Sequence, residues 1–328
     1  MTIKDIARQA GVSTATVSRT INEPGKVAPE TRQRITDIIN ENHFVPNSIG
    51  KTLRTARTDQ ILAIIPSLSN DFYPSIMKGL LDTARQASYN VLFGVTDFSE
   101  REERRFMNML TTKQVDGVLS FYSSLPVAEL NHLAAGYPYI QGCEYSEGAD
   151  LTYVAIDNEQ AAYDAVSYLI NKGHRSIGMI SSNIYTYSEK YREQGFNRAK
   201  EEHNLDTGSR YIMRANYQYD SGFDACAHLL AQPDSPTAIF AVSDTLAIGA
   251  SKCCVSMGMQ PGKDISIIGF DNTTFSQIYN PSISTVSQPK YEIGCVAAGA
   301  LIDRISGKDT ANRRILMRHD LIIRASSI

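Results

Sequence analysis

The sequence predicts an α/β protein with an N-terminal helix-turn-helix head followed by two doubly wound parallel-sheet lobes. Three observations carry that expectation. The first 45 residues hold three short amphipathic helical patterns separated by capping and turn residues, with no strand-like run. From residue 59 onward, short apolar runs alternate with helical patterns. The chain has 328 residues, 42% of them hydrophobic, enough to build more than one core and to exclude wholesale disorder.

In the head, residues 1–45, Ile3, Ile6, Ala7 and Ala10 form the apolar stripe of a short helix. Thr2 and Asp5 read as a capping box with Asp in place of Glu, and Gly11 suits the left-handed residue that ends the helix. Ser13 suits the N-cap of a second helix over 14–21, with Val17 and Ile21 facing inward. Its outward set is Thr14, Ala15, Thr16, Ser18 and Arg19, short or hydrogen-bonding side chains with one guanidinium. Such a surface suits a helix lying in the ~12 Å major groove of DNA. Pro29 fits the first turn of a third helix whose apolar face is Ile35, Ile38 and Ile39. Three packed helices without a DNA role are the plain alternative. Charge argues against it: through residue 58, nine Lys and Arg face five Asp and Glu, whereas the whole chain carries a net charge of −3. A cationic head on an anionic body points to a polyanion partner.

Residues 46–58 read as a hinge. Pro46 ends the third helix, Asn47 can cap a new one, and Ile49 and Leu53 share a face. The segment is shorter than the ~12–15 residues an isolated helix needs, and Gly50 weakens it by roughly 1 kcal/mol relative to Ala. It is therefore expected to be helical only when something stabilises it. Leu53 beside Lys51, Arg54 and Arg57 fits an apolar wedge between base steps of a minor groove with cations on the phosphates. An ordinary basic linker is the alternative.

In the body, residues 59–328, strand-like runs fall at 61–66, 90–96, 115–121, 137–141, 153–156, 176–181, 237–242 and 265–270. Helical patterns fall at 73–87, 101–110, 160–169, 189–202, 221–230 and 244–254. This alternation predicts parallel sheets with right-handed crossovers and a ligand at the carboxyl ends of the strands, in a cleft between two such units. Phe72 and Tyr73 follow the first strand and can stack on a sugar or a base, or pack in a core. Phe121 and Ser123 follow the third strand. Ser243 follows the run 237–242, with Asp244 either beside it or capping the next helix. Arg192 offers five donors in a rigid plane, or pairs with Glu189, and Asp271 offers acceptors at a further strand end.

Several function classes find no footing. Five scattered cysteines and six histidines (43, 132, 174, 203, 228 and 319) show no metal-ligand spacing, and the cysteines read as buried reduced thiols. No P-loop, G-x-G-x-x-G or G-x-S-x-G element occurs, so neither an enzyme nor a cofactor is expected. No apolar run reaches the ~18 residues of a membrane span, and the first residues lack the apolar stretch of a secretory signal. The expected location is cytoplasmic, without membrane association.

The stretches TIKDIARQAGVSTATVSR, VAPETRQRI and PNSIGKTLRTART, continued through the body to LIIRAS at 321–326, resemble the LacI/GalR family of transcriptional regulators over nearly the whole chain. Gly50 departs from the Ala usual in family hinges. The resemblance implies a body like that of periplasmic sugar-binding proteins, crossed by the chain near Asp157, near 287–289 and near Arg318. The first lobe would then hold about 59–156 and 288–317, including a helix over 290–305, and the second about 157–287 and 318–328. It implies that Arg192 forks onto ligand hydroxyls or a carbonyl, that Asp271 bonds ligand hydroxyls, and that Asn22 and Lys26 join the DNA contacts. His174 matches a family stretch that packs or caps before a strand.

The same resemblance implies a repressor that binds double-stranded operator DNA as a homodimer, with a tetramer left open. The first lobes would pair, each head would enter a major groove of a near-palindrome, and Leu53 would wedge the central minor groove. A small-molecule effector, sugar or nucleoside, would occupy the cleft. The segments TKQVDGVL, AIDNEQAAYDAVSYL, ISIIGFDN and QPKYEIG resemble a nucleoside-responsive member, with sugar the broader family expectation. Dependence on a corepressor or protein partner, and a solute-binding protein, are the alternatives.

Overall fold

The computed structural model describes residues 1–44, 57–69, 71–184, 186–309 and 311–327. Its contacts divide the chain into two compact units, Met1–Thr58 and Asp59–Ile328. The hinge positions Asn47, Gly50, Lys51, Leu53 and Arg54 lie outside the described residues.

The head consists of α1 (Ile3–Ala10), α2 (Thr14–Asn22) and α3 (Pro29–Glu41). At the start of α1, the Thr2 amide and hydroxyl donate to the Asp5 carboxylate at 3.0 and 2.7 Å, while the Asp5 amide donates back to Thr2 Oγ1. Gly11 ends α1 at φ 64°, a conformation that costs a side chain more than it costs glycine. The Ser13 hydroxyl accepts the Thr16 amide at 3.1 Å and so starts α2. Ile6, Val17 and Ile35 are fully buried where the three helices meet, with Ile3, Ile21, Ile38 and Ile39 packed around them. Thr20 is buried as well, which its polar character did not suggest; its hydroxyl is satisfied by the Thr16 carbonyl at 3.0 Å.

The body begins with β1 (Gln60–Ile65), α4 (Tyr73–Gln86), β2 (Asn90–Val95), α5 (Glu100–Thr111), β3 (Gly117–Ser120), α6 (Val127–Gly136), β4 (Tyr139–Gly142) and β5 (Thr152–Ile156). It continues with α7 (Asn158–Asn171), β6 (Ile177–Ser182), α8 (Tyr187–Glu202), β7 (Ile212–Ala215), α9 (Tyr219–Leu230), β8 (Ala238–Ala241), α10 (Asp244–Ser256), β9 (Ser266–Phe270), α11 (Thr274–Ile278) and β10 (Ser284–Ser287). It closes with α12 (Lys290–Ile305), β11 (Arg314–Met317) and β12 (Asp320–Ile322). One sheet has the order β2-β1-β3-β4-β5-β11 and is parallel throughout. The other repeats that order as β7-β6-β8-β9-β10-β12, with β12 antiparallel at its edge.

The chain passes between sheets after β5, after β10 and after β11. Each lobe is thus a doubly wound unit with its switch point between the first and third strands in chain order. Four edge or near-edge strands, β7, β10, β11 and the three-residue β12, have no counterpart among the strand-like runs. β7 and β11 are partly exposed, and β10 reads Ser-Thr-Val-Ser, so none presents a long apolar run.

Glycines set how closely the helices of each lobe approach. A Cβ on Gly79 or Gly294 would stand 2.0 or 2.1 Å from a carbonyl oxygen of the facing helix, where α4 packs on α12. Gly195 meets the α7 backbone at 2.1 Å, and Gly249 meets the α9 backbone at the same distance. No rotamer relieves such a clash, because the obstacle is main chain. Gly299, on the same α12, has nothing within 4 Å. Gly294→Ala should therefore destabilise the body by about 1–3 kcal/mol, whereas Gly299→Ala should stabilise it by about 0.5–1 kcal/mol through helix entropy. Urea unfolding of the two variants checks the opposite signs.

Lys200 is 1% exposed and has no carboxylate partner within ion-pair distance among the described residues. Its ammonium donates to the Ile177 carbonyl at 3.2 Å and lies over the rings of Tyr211 and Phe196, 4.5 and 4.8 Å from their centroids. Burial pushes its pKa down from 10.5 to about 8. Between those values the unfolded chain holds the extra proton, so this group makes stability rise with pH across that window. Lys200→Met should raise the melting temperature below pH 8 and remove that rise, as melting curves taken from pH 7 to pH 10 would register.

Candidate functional site

Two surfaces carry chemistry, one on each unit. In the head, Thr14, Ala15 and Arg19 are exposed along α2, with Ser18 half-buried between them. Thr16 is less available than its outward position suggests, because its hydroxyl is bonded to Ser13 Oγ at 3.0 Å and helps cap the helix. The Asn22 amide is turned back onto the Ser18 carbonyl at 2.8 Å. Lys26 pairs with Glu23 at 2.7 Å, with both side chains exposed, and Arg57 is exposed at the end of the unit. The face offers short side chains around one long cation, a shape that admits close approach to base edges.

In the body, a cavity of about 340 Å³ lies between the lobes. The first lobe contributes Pro66, Ser67, Phe72, Tyr73, Phe98, Tyr122 and Glu144 to its wall, and the second contributes Thr186, Ser188, Arg192, Tyr217, Asp271 and Gln288. These residues follow the carboxyl ends of strands in both sheets, where a doubly wound fold leaves backbone and side chains unpaired by the sheet.

Arg192 projects from α8 and is buried. Its Nε donates to Asn158 Oδ1 at 3.0 Å and its Nη1 to the Val242 carbonyl at 2.7 Å, while the guanidinium lies 3.7 Å from the centroid of the Phe270 ring. Nη2 has no hydrogen-bond partner among the described residues. Three carboxyls surround this cation. Burial raises the pKa of each of Glu144, Glu189 and Asp271, and Arg192 opposes that shift in all three. Glu189 accepts from Ser181 at 3.0 Å and from the Tyr217 hydroxyl. Asp271 accepts from Gln288 at 2.9 Å. Its backbone sits at φ 103°, a strained value for a non-glycine residue, with Asn272 next at φ 48°. The Lys290 ammonium, at the start of α12 in the first lobe, holds this turn by bonding the carbonyls of both residues.

The lobes are tied on both flanks of the cavity. The Ser188 amide and hydroxyl donate to the Glu144 carboxylate, the former at 3.1 Å. Lys190 pairs with Glu147 at 2.5 Å, and the rings of Tyr145 and Tyr191 lie with centroids 5.8 Å apart. On the other flank the Thr274 amide donates to Asp71 at 3.2 Å.

Of the seven expected ligand residues, the structure places Phe72, Tyr73, Arg192 and Asp271 on the cavity wall. Arg192 bonds Asn158 and Val242 rather than being consumed by a pair with Glu189. The other three need correction. Phe121 is 0% exposed and packs edge-on beneath Tyr73, with ring centroids 6.2 Å apart; its neighbour Tyr122 faces the cavity instead. Ser243 is the N-cap of α10 and accepts the Leu246 amide at 3.3 Å, so Thr245 reaches the wall in its place. Asp244 is also withdrawn, bonded to Thr273 and Thr285. Ser123 lines a separate neighbouring cavity of about 270 Å³ and accepts the Leu125 amide.

Glu144, Tyr217 and Gln288 were missed. Tyr217 and Gln288 follow β7 and β10, the strands without an apolar signature, and Glu144 lies just beyond the expected run 137–141. Among the described residues no cluster of three or more metal-ligating side chains occurs, and no helix is long and apolar enough to cross a membrane.

Comparison with known proteins finds matches to both units. Residues 2–47 match the family described as bacterial regulatory proteins, lacI family, and residues 166–327 match the periplasmic binding protein-like domain. The HTH-type transcriptional repressor CytR of Escherichia coli is 36% identical over 327 residues, covering 99% of this chain and 96% of that protein. Catabolite control protein A of Priestia megaterium is 33% identical over 330 residues, covering 100% and 99%. A transcriptional regulator CelR–cellobiose complex superposes with a TM-score of 0.75 at 28% identity, covering 99% of both chains. The Lac repressor dimer bound to operator and the anti-inducer ONPF superposes at 0.90, covering 100% and 99%; at 22% identity it shows the shared fold. With a helix-turn-helix head, two doubly wound lobes around a common cavity and relatives matched along its whole length, the chain belongs to the LacI family of bacterial regulatory proteins.

Proposed function

We propose that the protein is a cytoplasmic transcriptional repressor that binds a near-palindromic operator as a homodimer and is controlled by a sugar or nucleoside in the interlobe cavity. The observation that carries this reading is the cavity itself. Both lobes wall it, a cation and carboxyls converge on it, and a ligand bridging them would favour one lobe arrangement over another. Phe72, Tyr73, Phe98, Tyr122 and Tyr217 supply flat faces for a sugar ring or a base, and Arg192 supplies a free donor edge. The relatives are named as regulators, and no catalytic role is proposed.

For the dimer, the support is the edge strand β2, which leaves Leu92 37% and Phe93 43% exposed on the first lobe. Two copies meeting there would cover both side chains. A two-fold dimer reading DNA implies half-sites about one helical turn apart.

Thermal denaturation against sugars and nucleosides tests the effector. A ligand at 100 times its dissociation constant adds ~2.7 kcal/mol to stability, and a complete absence of stabilisation would overturn the assignment. Arg192→Lys should weaken any such ligand at least about tenfold while ligand-free operator binding stays within a factor of about two, because an ammonium cannot span Asn158, Val242 and a ligand together. Titration calorimetry and gel shifts read the two halves. For the head, Arg19→Ala should cost about 1–3 kcal/mol on the operator and relax preference at one base pair. Lys26→Ala should weaken all sequences alike and lower the salt slope by about one. Binding titrations at several salt concentrations separate these outcomes.

A further inference from the structure

A phosphorylated ligand needs an anion-binding position, and in a fold of this kind the natural place is a helix N-terminus at the cleft. Four helices begin at the cavity, and each is poorly suited to receive an anion. α4 opens with Pro74 in its first turn, which has no amide hydrogen to offer. α10 carries the buried carboxylate of Asp244 as its first residue, and α9 carries Asp220 in its first turn. The fourth, α8, already holds an anion from within the protein. The Glu144 carboxylate reaches across from the first lobe and takes both the amide and the hydroxyl of Ser188. It fills the position a phosphate oxygen would use.

The cations do not offset this. Arg192 is the one cation among the described residues lining the cavity, and two of its three nitrogens are spent on Asn158 and Val242. The Lys290 ammonium is spent on the two carbonyls of the Asp271–Asn272 turn. Against them stand Glu144 and Asp271 on the cavity wall, whose burial already disfavours negative charge.

We infer that the cavity selects an uncharged polyol or nucleoside and rejects the phosphate ester of the same compound, with Glu144 as the discriminating residue. This rests on the effector reading above and narrows it to one chemical class. A neutral ligand donates hydroxyl or amino hydrogens to the carboxyls and accepts from Arg192. A phosphate dianion meets the same carboxyls as like charges in a low-dielectric cleft.

The test uses the full-length protein and matched pairs of probes at constant ionic strength: cytidine and cytidine monophosphate, adenosine and adenosine monophosphate, glucose and its phosphate ester at the primary hydroxyl. Affinities are read by calorimetry. Every pair that binds should favour the unphosphorylated member by on the order of tenfold or more. Glu144→Gln, which keeps the shape and removes the charge, should narrow that gap by a similar factor. Ser188→Ala removes the hydroxyl half of that contact, keeps the amide bond and leaves the carboxylate in the cavity, so it should leave the preference in place; it also guards against reading a general loss of folding as a change of selectivity. A phosphorylated probe that binds the parent as tightly as its neutral partner, or a gap unchanged by Glu144→Gln, overturns the inference and leaves the effector reading standing. Failure of all six probes to bind parent and variants overturns both.

Discussion

One buried guanidinium governs the cleft. Arg192 is fixed from three directions: by Asn158 at the start of α7, by the carbonyl of Val242 beyond β8, and by the ring of Phe270 at the end of β9. A charge held this firmly in a buried place requires compensation, and the surrounding carboxyls supply it. Glu189 and Asp271 do so from the same lobe and Glu144 from the other. Two carboxyls already face the one guanidinium within the second lobe, and Glu144 adds a third only when the lobes are together. Opening the cleft would withdraw Glu144, so the electrostatics of the cavity change with the lobe arrangement.

That coupling gives a ligand something to act on. Moving a two-state population from 1:99 to 99:1 takes a preference of about 5.5 kcal/mol for one state. The ties between the lobes, Glu144 to Ser188, Glu147 to Lys190, Asp71 to Thr274 and Lys290 to the Asp271 and Asn272 carbonyls, are few and partly exposed. Glu147–Lys190, a surface ion pair, contributes roughly 0–1 kcal/mol, and hydrogen bonds such as the others contribute about 0.5–3 kcal/mol each, so the arrangement is not locked by them. A ligand with a handful of well-placed hydrogen bonds and stacked faces can outweigh them. The strained Asp271–Asn272 turn, which puts the Asp271 carboxyl on the cavity wall, is held by Lys290 from the first lobe and so is tied to both lobes.

The outline of this design was legible in the residues because period and punctuation carry it. The capping box at Thr2 and Asp5, Gly11, Ser13 and Pro29 mark the head helices by local chemistry alone. Apolar runs mark the central strands, which are buried on both faces. Partly exposed or hydroxyl-rich strands such as β7, β10 and β11 lack that signal, and with β7 and β10 went Tyr217 and Gln288. Side-chain direction at a strand end was a second limit. Phe121 and Tyr122 both follow β3, and only the backbone path decides which of them enters the core. The same holds for Ser243 and Thr245, two residues apart, of which one caps and the other faces the cavity. Glu144 was invisible for a different reason: its partner Ser188 lies 44 residues away on the opposite lobe, so no local pattern could pair them.

The two surfaces obey different physical laws, and this lets their coupling be dissected. Binding of the cationic head to DNA displaces condensed counterions, so its affinity falls steeply with salt. Binding of an uncharged ligand in a cavity whose charges are buried and mutually paired involves no such displacement and is nearly indifferent to salt. Linkage requires that the ligand change DNA affinity by the same factor as DNA changes ligand affinity at any one salt concentration. Salt then sets how much DNA is bound without altering how the lobes respond to ligand. A coupling factor constant across a salt series would place the switch within the body. A factor that drifts with salt would mean that the ligand also changes how many phosphates the protein contacts, which locates part of the switch in the segment between body and head.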